Sequence, residues 1–456
     1  MKRSSVLTYI NRVGKAQDIR RKLLITLIIL IIYRLVSHVP VPGADREALA
    51  RLFANGGAGS TFIEILNTLS GGTISQFSVL AMGVYPYITA QIILQLLIPI
   101  IPAWKARMEE DQREGRRWME KWTYILAIPM AALQAFGQIQ IFTGLAGADI
   151  IPNFGFSGSS LLPSVTILIT MTAGTMFAIW LGELISEYGI RQQGLSLIIF
   201  AGIVSQIPQN ISRIMQDESN RWLLLAFMLL VTILIIFAIV YIQQGRRNVP
   251  VMYPGRRVGN RMSMPVKGTL PLMVNMAGMI PLIFAQSLLT FPAVLASFFI
   301  ASQTEWVQKT ALWFQTNFGG ETGAYWLMFF LMVVGFTFFY TDVLFAQQNY
   351  GENLKRAGAQ IPGVLRGEKT QQYLTKVLRR VTFPGAFFLG FVAVLPYILS
   401  LLLPGLGLQG GISGQTGVFI VSSSGLLIVV GVVRDLFFNI DAELKLHGYD
   451  DTLLVR

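Results

Sequence analysis

The sequence predicts an all-α integral membrane protein of ten transmembrane helices in two inverted five-helix halves, and three observations carry that expectation. Hydrophobic residues make up 53% of the chain and charged residues only 13%, with a mean hydropathy of +0.57, whereas ordinary soluble domains are about a quarter charged. Apolar stretches recur at lengths close to the roughly 20 residues that a helix needs to cross a hydrocarbon core of about 30 Å. Lys and Arg gather in alternate connections between those stretches.

The chain opens on MKRSSVLTYINRVGKAQDIRRK, basic and polar, and the apolar run that follows has no small-residue cleavage site. Residues 1–21 therefore read as a retained cytosolic arm and not as a cleaved signal peptide. Spans are expected at 22–38, 76–101, 121–143, 160–184, 194–211, 221–243, 270–299, 323–346, 380–403 and 416–436. The fifth is short, and the seventh is interrupted by Pro281 and Pro292, residues that favour kinks serving either helix packing or a moving gate.

Orientation follows from the basic residues, which are retained on the cytosolic side during insertion. They crowd the arm and the connections after the second, sixth and eighth spans, where Lys105, Arg107, Arg246, Arg247, Lys355 and Arg356 are examples. The opposite connections carry Arg46, Arg51, Arg213, Arg221 and Lys309, with none in 142–160 or 404–415. Both termini are thus expected in the cytosol, the tail being 437–456. An even count with this orientation divides the chain into halves of opposite orientation, 22–211 and 212–436, an arrangement that places a functional pathway at the interface between repeats. The same asymmetry accounts for the net charge of +12 without nucleic acid as a specific ligand. Two basic connections, 244–268 and 347–379, exceed what a helix connection needs; they are candidates for meeting a partner with an acidic or RNA surface, through phosphate contacts without sequence readout.

Enzyme chemistry finds little support. There are no cysteines, and His38 and His447 are the only histidines, at or beyond span ends, so a thiolate nucleophile, a Cys-ligated metal and a His-based relay are all disfavoured. No cofactor is expected. Glu183, Glu187, Asp342 and Asp435 fall near cytosolic helix ends and Arg34 near the outer end of the first span, which leaves span centres without the ionisable groups of an ion-coupled permease.

The uncharged residues are patterned instead. An apolar run from Phe62 to Leu69, including Ile63, Ile65 and Leu66, breaks at Gly71 and Gly72 before a full span resumes. A half-length helix cannot cross the bilayer, and broken backbone at membrane depth is tolerated only beside protein or a water-filled cavity. Thr89, Gln91 and Gln95 lie among Ile and Leu in the second span, and Asn275 occupies an equally apolar setting in the seventh. Such amides seek partners on neighbouring helices, as ordinary interhelical contacts or as part of a gate.

Five motifs in chain order, SGGTISQFSVLAMGVYPYITAQIILQLL, WLGELISEYGI with GLSLIIFAGIV, LPLMVNMAGMIPLIFAQSLLTFPA, FTFFYTDVLF with NLKRAGAQIPG, and GLLIVVGVVRD, resemble the SecY family. The resemblance implies a clamshell around an hourglass pore, with the half-helix at 62–72 as a plug and a lateral gate between the second and seventh spans. It implies a pore ring of Val84, Ile88, Leu195, Ile199, Ile283 and Ile428, and gate polar residues Thr89, Gln91 and Asn275. The two basic loops, with Arg246, Arg247, Arg256, Arg257, Arg261, Lys355, Arg356 and Arg366, correspond to the docking surface for the SecA ATPase or the ribosome. SecE and SecG subunits, signal sequences, nascent polypeptides and membrane lipids are the other implied partners, in the cytoplasmic membrane. The chain departs from the family at GIRQQG, where GIGNG is usual, and at Asn248, Asn260 and Leu365, where basic residues are usual.

Overall fold

The structure is a computed structural model that describes residues 16–43, 77–98, 100–110, 112–146, 151, 154–155, 160–191, 193–215, 221–254, 257–258, 261–262, 266–297, 299, 304–318, 322–402 and 423–446. The elements of the N-terminal half are α1 (Gln17–Val36), α2 (Tyr85–Leu97), α3 (Pro102–Glu110), α4 (Gln112–Ala146), α5 (Leu161–Tyr188), α6 (Gly194–Ser205) and α7 (Ile207–Met215). After α8 (Arg221–Gln244) come the strands β1 (Arg246–Tyr253), β2 (Arg257–Val258), β3 (Arg261–Met262) and β4 (Val266–Met273). The rest is helical: α9 (Ile280–Ser297), α10 (Glu305–Phe318), α11 (Gly323–Gln348), α12 (Tyr350–Arg356), α13 (Glu368–Leu402) and α14 (Ser423–Leu446).

A helix coincides with each expected span, but the boundaries move for physical reasons. Among the described residues, five helical stretches are long and apolar enough to cross a membrane by themselves: Leu161–Tyr188, Gly194–Ser212, Leu225–Gln244, Gly323–Arg356 and Glu368–Leu399. The second span starts late, because residues 77–84 form tight turns pinned by Val41 N–H to Phe77 O at 3.0 Å and Val79 N–H to Val39 O at 2.9 Å. Its helix α2 then bends by 101° into α3, at the Pro102 that opens α3, where a proline fits the first turn but would break an interior one. The helices of the third and ninth spans, α4 and α13, run well beyond the expected 121–143 and 380–403 on their polar ends, since solvated turns rich in Glu, Lys and Gln propagate a helix already nucleated in the apolar segment.

The expected span at 270–299 is shortened: its first residues belong to β4, and the helix begins only at Ile280. Val266–Met273 pairs along its whole length with Arg246–Tyr253 as an antiparallel ribbon, and Gly278 at φ +64° turns the chain into α9, a backbone that glycine adopts without strain. Pro281 consequently falls in the first turn of α9, where it is tolerated, and only Pro292 lies inside. Helix α10 has no counterpart among the expected spans; fourteen residues with polar positions throughout carry no span signal.

Helices α2, α5, α6, α9, α11, α13 and α14 share the main apolar core, and α1, α4 and α8 close around it. The tightest helix pairs are α11 with α13 and α2 with α4, while α9 bridges the halves by touching α2 and α4, and α14 does so through α6 and α1. A second core at the end of the bundle opposite the ribbon joins Phe77, Phe142, Ile167 and Met171. On the ribbon's own end, Val249, Val251 and Leu272 pack on Phe345, Leu354, Leu374 and Leu378.

The first and last helices are tied by a small apolar cluster of Ala16, Ile19, Ile440 and Leu444 and by Lys22 Nζ to Glu443 Oε1 at 2.5 Å, with the two side chains only 25% and 17% exposed. A pair this shielded from water resists screening better than an exposed one. Glu443→Gln is expected to lower stability by about 1–2 kcal/mol, read as the thermal midpoint of the detergent-solubilised protein. Adding Lys22→Gln should then cost less than the sum of the two single losses; full additivity would mean that the pair contributes nothing.

Candidate functional site

Four helices carry the six aliphatic residues of the expected ring. Val84 is the residue before α2 and Ile88 lies one turn into it; Leu195 and Ile199 are one turn apart on α6, Ile283 is in the first turn of α9, and Ile428 is in the second turn of α14. Spacings of four place both members of the α2 and α6 pairs on one face. Val84, Ile199, Ile283 and Ile428 are buried at 1%, 6%, 7% and 2% exposure, and Ile88 and Leu195 pack against the same cluster. The six residues come from α2 and α6, early in the chain, and from α9 and α14, late in it.

Electrostatically this region is bare. Among the described residues no Asp, Glu, Lys or Arg is buried, and no group of three His, Asp or Glu is placed to hold a metal ion. The charged side chains are exposed or half-buried instead. Arg379 donates to both oxygens of Asp342 at 2.8–3.2 Å. Tyr124 donates its hydroxyl to Glu183, so this carboxylate has a partner across the α4–α5 contact. An uncharged apolar cluster offers no group for acid–base or metal chemistry and holds water and ions poorly.

Two polar residues of the expected gate hold hydrogen bonds close to their own helices. Thr89 Oγ1 donates to Tyr85 O at 2.9 Å and accepts from Gln134 Nε2 at 3.2 Å, a bond between α2 and α4. Asn275, 2% exposed, precedes α9 and donates its amide to Gly278 O at 3.0 Å, securing the turn into that helix. Gln91 is half-buried on α2. Sequence reasoning passed over Gln134 and Gln138, both buried on α4 at 6% and 4% exposure. Their signal was present, two amides four residues apart on a span otherwise lined by Ala, Leu and Ile.

At the ribbon end, the two basic loops are joined. Met252 of β1 and Gln360 exchange both backbone hydrogen bonds, at 2.8 and 2.9 Å, and Arg366 donates through Nε and Nη2 to Gln360 Oε1 at 3.2 and 3.1 Å. Arg246 and Arg247 are exposed on β1. Lys355 and Arg356 are exposed at the end of α12, both 3.6 Å from Glu352 carboxylate oxygens. Arg257 and Arg261 belong to the short β2–β3 pair. Arg256 and the half-helix residues Phe62, Ile63, Ile65, Leu66, Leu69, Gly71 and Gly72 lie outside the described residues.

Taken together, the apolar helices and the core they share define a polytopic helical membrane protein. The SecY family profile matches residues 78–437, and the chain belongs to the SecY family. Relatives named protein translocase subunit SecY include one from Halalkalibacterium halodurans, 37% identical with 96% of this chain and 98% of that protein covered. One from Streptomyces scabiei is 34% identical, covering 98% of this chain and 100% of the relative, and one from Escherichia coli is 33% identical, covering 96% and 95%. Among solved structures, one described as that of a protein conducting channel aligns over 93% of this chain and 92% of its own, with a TM-score of 0.58 at 18% identity. A second, concerned with the plug domain of the SecY protein, aligns over the same shares with a TM-score of 0.56 at 17% identity. At these identities the structural likeness establishes the fold.

Proposed function

We propose that the chain is the channel subunit of a protein translocase of the cytoplasmic membrane, passing unfolded secretory polypeptides through its centre and releasing transmembrane segments sideways into lipid between α2 and α9. The observation that carries this reading is the meeting of Val84, Ile88, Leu195, Ile199, Ile283 and Ile428, from four helices and both halves, in one apolar cluster within a chain whose relatives are named as translocase subunits. An aliphatic gasket dewets when closed and makes no fixed bonds that a passing chain would have to break.

In this reading the pore is passive and performs no catalysis. The SecA ATPase or the ribosome pushes from the ribbon end, engaging exposed Arg246, Arg247, Lys355 and Arg356. SecE and SecG complete the complex, the segment at 62–72 plugs the far side, and both termini face the cytosol. The aliphatic character of the lining matches the greasy signal sequences and transmembrane segments that such a gate must release.

The deciding experiment places a photocrosslinker at Ile88, Ile199 or Ile428, with Leu331, which is 60% exposed on α11, as the lipid-facing control. A secretory chain arrested midway should form adducts at the first three positions and not at Leu331. A verified arrested chain without ring adducts would overturn the proposal.

A further inference from the structure

The start of α13 carries a feature that a channel does not need. A cavity of about 410 Å³ lies along Gln371, Gln372, Thr375, Lys376, Arg379 and Arg380. Part of its polar lining is already engaged: Gln371 accepts from Gly351 N–H at 2.8 Å, Gln372 donates to Glu368 at 3.1 Å, Thr375 donates to Gln371 O at 2.9 Å, and Arg379 is held by Asp342. Lys376 and Arg380 are exposed, one turn apart on the same face, and no ion pair among the described residues neutralises them. The groove therefore presents two unbalanced positive charges beside side chains already fixed in place.

Directly below it, on the stretch of α13 that is apolar enough to cross the membrane, runs a ladder of aromatic rings. Phe383, Phe387 and Phe391 recur every four residues after Arg379 and are 55%, 43% and 51% exposed. Phe383 and Phe387 have centroids 4.6 Å apart, and α11 extends the surface with Phe338, 6.4 Å from Phe383, and Phe330, 5.8 Å from Phe387. From Arg379 to Phe391 the helix rises about 18 Å, close to the depth of one leaflet of a hydrocarbon core of about 30 Å. A fused pair of basic head and aromatic trough has the dimensions and polarity of a phospholipid.

We infer that the groove and the ladder form a binding site for one anionic phospholipid, its phosphate held by Lys376 and Arg380 and an acyl chain laid along Phe383, Phe387 and Phe391. A soluble phosphate-bearing partner would satisfy the two charges but cannot reach rings at hydrocarbon depth. A zwitterionic lipid would satisfy the rings and bring a phosphate, but its own ammonium group would stand beside the two cations and leave their charge unbalanced. The site lies on the outside of the bundle, at the α11–α13 contact, away from the aliphatic waist, and does not depend on what passes through the centre.

The test is native mass spectrometry of the full chain in neutral detergent, titrated with phosphatidylglycerol and phosphatidylcholine carrying identical acyl chains. Phosphatidylglycerol should bind at least tenfold more tightly than phosphatidylcholine, and millimolar inorganic phosphate should not displace it. Lys376→Gln and Arg380→Gln should each weaken phosphatidylglycerol by about fivefold and together by about thirtyfold, with phosphatidylcholine unchanged. Phe383→Ala with Phe387→Ala should weaken both lipids alike, and Lys267→Gln, exposed on the ribbon opposite Met252 and not among the groove residues, should change neither. Equal affinity for the two lipids, or an equal loss in Lys267→Gln, overturns the site. Displacement by inorganic phosphate or a short RNA, with the phenylalanine variants binding normally, would assign the groove to a soluble partner and overturn it as well.

Discussion

Gly194→Ala is expected to destabilise the protein by more than about 3 kcal/mol, the upper end of what overpacking costs. A Cβ on Gly194 would stand 1.7 Å from Gly182 O and 2.6 Å from Gly182 C, so the obstruction is backbone, which cannot swing aside as a side chain does. The close approach is held by the Gly194 N–H donating to Ser186 Oγ at 3.1 Å, an atom that the added Cβ would also crowd at 2.7 Å. Restoring contact distances would push α6 away from α5, and with it Leu195, whose Cδ2 is itself only 2.8 Å from a Cβ built on Gly182. Gly174→Ala should behave alike, since its Cβ would lie 2.0 Å from Val79 O. Gly335 supplies the control: nothing lies within 4 Å of its Cβ, and alanine there relieves a helix of glycine's backbone entropy. Thermal midpoints in detergent should therefore fall sharply for Gly194→Ala and stay level or rise for Gly335→Ala. If all three variants melted together, the backbone contact would not be the reason for these glycines.

Those glycines show where sequence reading stops. Gly182 and Gly194 stand in the motifs WLGELISEYGI and GLSLIIFAGIV, which were visible as a resemblance, yet the reason that they are glycine is a contact between α5 and α6 that no local pattern encodes. Spans and their alternating loops were legible because hydropathy and charge are local properties, each span announcing itself within about 20 residues. The ribbon was not: Val266–Met273 is apolar enough to extend a hydrophobic run, and only its register with Arg246–Tyr253 draws it out of the seventh span. Helix α10 escaped for the opposite reason, being too short and too polar to register. Among the gate residues, Thr89 stood out as a hydroxyl in an apolar run, but its partner Gln134 lies forty-five positions away, and nothing in either segment names the other. The ring residues are anonymous in composition, aliphatics among many others, and became candidates through motif order alone; the core they share emerges only when the helices pack.

Ile428→Asn should raise the resting ion conductance of the reconstituted protein by tenfold or more in planar bilayers. Ile428 is 2% exposed and belongs to the same apolar core as Val84, Ile199 and Ile283, so removing its branched side chain forfeits about 2–3 kcal/mol of apolar burial and leaves an amide that must find water or cost about 1–3 kcal/mol unpaired. Water is the cheaper partner wherever the waist can admit it, and once a dewetted constriction holds water it also passes ions. Ile283→Asn, at 7% exposure on α9, should act in the same direction, and because α9 also bounds the proposed lateral opening, it should in addition loosen discrimination against weak signal sequences. Ile428→Leu keeps volume and polarity and should remain closed, which separates a loss of sealing from a loss of shape. The decisive comparison is Leu331→Asn, an equally polar change at a 60% exposed position on α11 away from the waist. A polar side chain there meets lipid headgroups or neighbours but no pore, so its conductance should match the parent chain. Were Ile428→Asn no leakier than Leu331→Asn, the aliphatic cluster would be ordinary core packing, and the seal would have to be sought elsewhere in the bundle.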